Sequence, residues 1–258
     1  MFMTLGPAGA WKWRIAAAAM AAAIAGALVA HAPRAAAQPD ENPIERFFAP
    51  GLADLSLISR PVEKDMDELQ KIGSGFADAY RVGDSHLLLK EPDKFRMDTR
   101  VGFLKFQYVI SGKRTVMRAP LTNHARNIGD DPGKRQGPLE VGLVTRGALR
   151  GYTVENLGCD NEGGRQVCRY RLRYAHEPER YELLWIDAAR KCLAKRRLNI
   201  RPKGELKMEF TYLSPRQFGA LWIPMRIEVR NAEGKLAGVT EQSDVKVNAG
   251  LDDKLFKL

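Results

Sequence analysis

Few residues in this chain have the type and spacing that chemistry needs. Gly73-Ser74-Gly75 lacks the full Gly-x-Ser-x-Gly elbow that exposes a nucleophilic serine, and it sits in a helical pattern. Ser111-Gly112-Lys113-Arg114 has neither the upstream glycine nor the Lys-Ser/Thr ending of a phosphate-cradling loop. Beyond the first segment the histidines are His86, His124 and His176, and none has a second histidine or a cysteine at a ligand spacing. The acidic residues fall at turns and on polar strand faces. No catalytic residue, metal ligand or cofactor is therefore expected. Cys159 and Cys168 flank the turn-forming Asn161-Glu162-Gly163-Gly164, and two cysteines across a hairpin form a candidate disulfide in an oxidising compartment. Cys192 is left over and reads as a buried thiol.

One basic constellation stands out. Arg169, Arg171 and Arg173 share a strand face, and Lys191, Lys195, Arg196, Arg197, Arg201 and Lys203 follow nearby. They form either a surface for anionic partners, such as lipid head groups or an acidic protein patch, or a solvated outer face paired with Glu177, Glu179, Glu182, Glu205 and Glu209. Nucleic acid is not an expected partner, because no recognition motif accompanies the charge.

The elements that must position these residues come from hydropathy. The 258 residues carry a net charge of +10 and are 45% hydrophobic. Such a chain is long enough for one domain with its own core, and it is neither collagen, coiled coil nor multi-span membrane protein. Residues 1–37 hold Lys12, Arg14 and Arg34 and no acidic residue, with an apolar run from Ile15 to Ala30 and a small-residue exit at Ala35-Ala36-Ala37. That is the secretory pattern, with cleavage expected after Ala37 and a periplasmic destination. The rival reading is an uncleaved anchor, which the run is too short and too alanine-rich to favour. Residues 38–62 read as a proline-broken lead-in with short helical segments at Ile44–Phe48 and Leu52–Ile58.

Met66, Leu69, Ile72 and Phe76 recur at helical spacing, so residues 63–80 are expected to be helix. From Arg81 the period changes to two. Leu104, Phe106, Tyr108 and Ile110 alternate with Lys105, Gln107 and Val109. Leu206, Met208, Phe210 and Tyr212 alternate likewise, as do Ile223, Met225, Ile227 and Val229. Further strands are expected at Ser85–Lys90, Phe95–Asp98, Thr115–Ala119, Tyr152–Leu157, Tyr181–Asp187, Ala194–Ile200 and Gly238–Val247. Residues 120–138 read as a long loop and Pro138–Leu149 as a short helix. One apolar and one polar face per strand means an antiparallel sheet. The expected fold is mainly β with α: about ten strands in a strongly curved, incomplete barrel, with one or two helices in its concave face.

Leu87-Leu88-Leu89-Lys90-Glu91-Pro92-Asp93-Lys94-Phe95-Arg96-Met97-Asp98 resembles the LolA-like periplasmic lipoprotein-carrier superfamily, in which a strand ends in Lys-x-Pro and leads through x-x-Phe-Arg into the next. Ile110-Ser111-Gly112-Lys113, the stretch from Tyr181 to Tyr212 and the closing Leu251-Asp252-Asp253-Lys254-Leu255-Phe256 are similar to later family motifs. The resemblance spans residues 63–258 and implies a non-enzymatic carrier that buries acyl chains or lipoproteins in an apolar cavity under a helical lid. Candidate cavity residues are Leu104, Phe106, Tyr108, Ile110, Leu206, Met208, Phe210, Tyr212, Met225 and Ile227. The alternative on the same fold is an envelope protein-interaction or sensing module with a filled core, using the arginine face. Arg114-Thr115-Val116-Met117 departs from the family, which often has an aromatic pair there, and the 120–138 loop and the cysteine pair look like additions.

Overall fold

The computed structural model describes residues 43–258, except 121, 130, 136 and 200–203; the leader and its cleavage point lie outside the described residues. The alternation predicted from sequence produces an antiparallel sheet. Its strands are β1 (Asp54–Lys64), β2 (Ser85–Lys90), β3 (Lys94–Val101), β4 (Leu104–Ser111), β5 (Arg114–Ala119), β6 (Thr122–Asn127), β7 (Tyr152–Glu162), β8 (Arg165–Tyr174), β9 (Glu177–Asp187), β10 (Cys192–Asn199), β11 (Met208–Leu213), β14 (Arg226–Asn231) and β15 (Leu236–Val247). A separate hairpin, β12 (Arg216–Phe218) with β13 (Leu221–Ile223), makes a two-stranded sheet. The main sheet has 13 strands in the order β6-β5-β4-β3-β2-β1-β15-β14-β11-β10-β9-β8-β7. It is curved and not closed. The expected class is found, with more strands than the expected ten.

The order has a simple logic. β1 to β6 form one meander and β7 to β14 a second, interrupted by the small hairpin. β15 lies between β1 and β14 and joins the two. The described chain between the outermost strands, residues 128–129, 131–135 and 137–151, forms a strap on the concave face. Ile128, Leu139, Val141, Leu143 and Val144 of this strap are all buried, and they contribute to two neighbouring core clusters.

Two helices cover a further part of that face, over β10, β11, β14 and β15. Asp65 starts α1 (Met66–Ile72) by accepting hydrogen bonds from the backbone N–H groups of Asp67 and Glu68. α2 (Ser74–Ala79) follows directly. Leu69, Ile72 and Ala77 pack on Leu198, Met208, Val229 and Ala237. The predicted helix is thus two short ones, and residues 62–64 belong to β1. The segment expected to be helical at Leu52–Ile58 is mostly β1, in the middle of the sheet, where its apolar run is buried. Residues 120–138 contain β6, which the polar, apolar-poor sequence concealed. The helix expected over Pro138–Leu149 reduces to a 3-10 turn at Pro138–Val141. Val109, expected on the wet face of β4, is fully buried because the C-terminal turn at Asp253–Phe256 lays Phe256 over it and Leu88. Arg96 Nη1 and Lys90 Nζ hold that turn by donating to the carbonyls of Leu255 and Leu251, at 2.9 and 2.7 Å.

Candidate functional site

The concave face falls into three regions. At its centre the strap, the small hairpin and the 3-10 turn Ile44–Phe47 fill the space. Ile110 packs there with Leu55, Leu57 and Phe95, and Tyr212 and Ile227 pack with Tyr170 and Leu184. Met208 and Phe210 lie under the helices. Of the ten candidate cavity residues these five are core. Leu206 precedes β11, and Met225 sits in the bend between β13 and β14, which Pro224 separates from the strand expected to be continuous.

The second region is a buried polar cluster beneath the strap, which the sequence reading missed. Arg196 donates from Nε to Glu182 at 2.7 Å and from Nη1 to Glu140 of the strap at 3.2 Å. The hydroxyls of Tyr152 and Tyr174 donate to the same Glu182 oxygen, at 2.6 and 2.9 Å. Burial alone would raise the Glu182 pKa, but Arg196 and the two hydroxyls outweigh it and hold the carboxyl below its ordinary value. Burial, with the Glu182 charge, pushes Tyr174 up, and burial pushes Tyr212 up. Tyr212 donates to the Leu139 carbonyl of the strap. A cleft of about 50 Å³ beside this cluster is lined by Glu91, Glu140, Gly147, Tyr152 and Arg196 among others. That is room for ordered water, far below the roughly 300 Å³ where small-ligand pockets begin. The cluster therefore clamps the strap to the sheet.

Two signals could have revealed it. Glu182 is in phase with the inward Leu184 and Ile186, and not with the outer face to which it was assigned. Arg196 is turned inward by a register shift between Leu193 and Lys195, so it leaves the outer basic stripe and faces Leu184 across the strands.

The third region is open. Between β3 and β6 the described residues leave Met97, Phe106 and Tyr108 only half-buried and Met117 46% exposed. A groove of about 610 Å³ is lined by Tyr108, Met117 and Ile128 together with the polar Thr115, His124, Arg126, Asn127 and Lys134. Farther along the same face of β4, at the β3–β4 turn, Leu104 is 37% exposed. Of the candidate cavity residues Leu104 is exposed and Phe106 and Tyr108 are half-buried on this side of the sheet, while Leu206, Phe210 and Met225 are half-buried elsewhere.

The other candidates separate. On the convex face Arg169 pairs with Asp160, while Arg171 and Arg173 pair with Glu155 at 3.0 and 3.4 Å and stack on Tyr181. Lys195 and Arg197 stack on Trp185, and Arg197 pairs with Glu209. Arg201 and Lys203 lie outside the described residues. The stripe is thus largely neutralised. His86 bonds to Ser56 Oγ at 2.8 Å, His124 lies on β6 and His176 at a turn, so the three stay apart. Cys159 and Cys168 are joined across β7 and β8. Cys192 is buried, and burial pushes its thiol up to about 12, against nucleophilic use. No group of metal-ligating side chains occurs among the described residues.

No protein-family model and no curated protein matches the sequence. Solved structures do match the fold. A DUF1329 family protein from Desulfovibrio piger superposes with a TM-score of 0.56 at 11% identity, covering 83% of this chain and 92% of that one. A LolA superfamily protein from Nitrosomonas europaea gives 0.53 at 14% identity, covering 83% and 94%. A putative outer membrane lipoprotein-sorting protein domain from Vibrio parahaemolyticus gives 0.51 at 14% identity, covering 81% and 91%. The open sheet, the helices in its concave face and these superpositions together give the described residues the fold of the LolA superfamily.

Proposed function

We propose that this chain is a non-enzymatic carrier or binder of acyl chains, borne by a lipid or a lipid-modified protein, working in the periplasm. The carrying observation is the groove left open by the described residues between β3 and β6, where Tyr108, Met117 and Ile128 lie among polar side chains, in a sheet whose centre is otherwise filled. A soluble domain rarely leaves such a groove bare without an occupant. An acyl chain needs no polar constellation, and burying about 200 Å² of it supplies roughly 5 kcal/mol before the cost of association. The disulfide supports an oxidising compartment, and the leader supports export. The filled centre means that cargo lies at the β3–β6 side, with deeper burial requiring the strap or helices to move.

The test is titration with a fluorescent fatty acid alongside native mass spectrometry of the protein isolated from its host. The groove reading expects saturable binding, weakened about tenfold or more by Met117→Glu at its exposed position, with unchanged melting. Absence of both probe binding and bound lipid overturns it.

A further inference from the structure

The β3–β4 turn is built differently from the other surfaces of this sheet. Gly102 takes φ +60°, the geometry of a tight two-residue turn, and it places Phe103 at the apex with 91% of its surface exposed. Val101 and Leu104, paired across the turn, are 41% and 37% exposed. Directly behind them Arg100 and Lys105 face each other across the strands. Both are exposed, and neither side chain forms an ion pair or hydrogen bond among the described residues. Nearby acids do not neutralise them: Asp84 is held by Arg60, and Asp98 by Arg96 and Gln107. This contrasts with the arginine stripe of β8, where each charge has a partner.

We propose that this turn is a membrane-docking wedge: Val101, Phe103 and Leu104 enter the interfacial layer of an anionic bilayer while Arg100 and Lys105 bind its head groups. Three apolar side chains on a narrow tip offer much less than the roughly 800 Å² per partner of a stable protein interface. They match the depth of a head-group and acyl boundary, and two long cations directly behind can reach its phosphates. The inference stands on the turn alone and does not require the groove to be loaded. If both hold, Leu104 and Phe106 form a continuous apolar track from bilayer to groove.

The experiment uses the full chain with Phe103→Cys labelled by an environment-sensitive fluorophore; Cys192 is buried and Cys159 and Cys168 are bonded, so labelling is selective. A control label replaces exposed Thr153 on β7. Vesicles of phosphatidylglycerol and phosphatidylcholine carrying nitroxide-quencher lipids should quench the tip label and spare the control, even if the leader also binds. Arg100→Ser/Lys105→Ser should cut tip insertion about 25-fold, at about fivefold per charge removed. An unquenched tip on vesicle-bound protein, or no loss in the double variant, overturns the wedge and leaves a protein partner as the reading. Fatty-acid titration without vesicles tests the groove separately, so the two proposals fail independently.

Discussion

A carboxylate and a guanidinium buried side by side are stable only while each satisfies the other. Removing one strands a charge in a low-dielectric interior, at a cost of about 3–5 kcal/mol. Glu182 and Arg196 are 1% and 5% exposed, so this range applies to them. Because folding lowers the Glu182 pKa, its contribution is complete above the ordinary glutamate value and is lost as pH falls through the folded value. Arg196→Met removes the group that outweighs burial, so the carboxyl pKa rises and protonation relieves the stranded charge. Urea unfolding should show the variant destabilised by about 3–5 kcal/mol at pH 7, with a smaller penalty at pH 4. An equal penalty at both pH values would mean that the Glu182 charge does not set the cost. The inward phase of Glu182 was legible in the sequence, because period two places it with Leu184 and Ile186. The inward turn of Arg196 was not, since a register shift between two strands is settled by pairing that neither strand encodes alone.

At the level of elements, strands with an uninterrupted polar–apolar alternation were the easiest to read. β2 was bounded correctly and β5 to within one residue, while β9 begins four residues earlier than expected. Segments whose surroundings break the pattern were harder. β1 is a buried run that period alone cannot distinguish from helix, and β6 is a polar edge with no apolar face. The strap is held by contacts distant in sequence. Among these is the close approach of Gly147 to Pro92, where a Cβ would stand 1.9 Å from the carbonyl oxygen. Gly147→Ala should therefore lift the strap and cost about 1–3 kcal/mol or more, read from denaturant midpoints. At the β7–β8 hairpin the disulfide closes a loop with a sequence separation of 9. Its reduction should lower stability by roughly 2–3 kcal/mol, since the unfolded chain regains loop freedom. A melting curve unchanged by reductant would show that the hairpin is held by strand pairing alone.

For the whole molecule, the open sheet divides its labour between its two halves. The β7–β14 half is sealed by the strap, the helices and the polar cluster, and its outer arginine stripe is paired. The β1–β6 half keeps an exposed groove and, at one end of it, an apolar turn flanked by free cations. Cargo exchange at a surface would therefore require little rearrangement of the sealed half. Hydrogen exchange should show this asymmetry: slow amides in β8–β10, faster ones in β4–β6, and added protection confined to β3–β6 when a fatty acid is present. Uniform protection on adding fatty acid would contradict a groove on that side alone.

The position of β15 has a consequence for biogenesis. Within the main sheet the two meanders are hydrogen-bonded to each other only through this strand, so a chain emerging amino end first can assemble both ladders and still leave the inner edges of β1 and β14 bare. Asp54, at the start of β1, receives the backbone N–H groups of Ala249, Gly250 and Leu251. The first strand is thus locked by residues made 195 positions after it. A polypeptide interrupted before residue 236 would display two unmated central strands, a template for aggregation and a ready mark for proteolysis. Completeness of synthesis is in this way read out by the fold itself, through a single closing zipper.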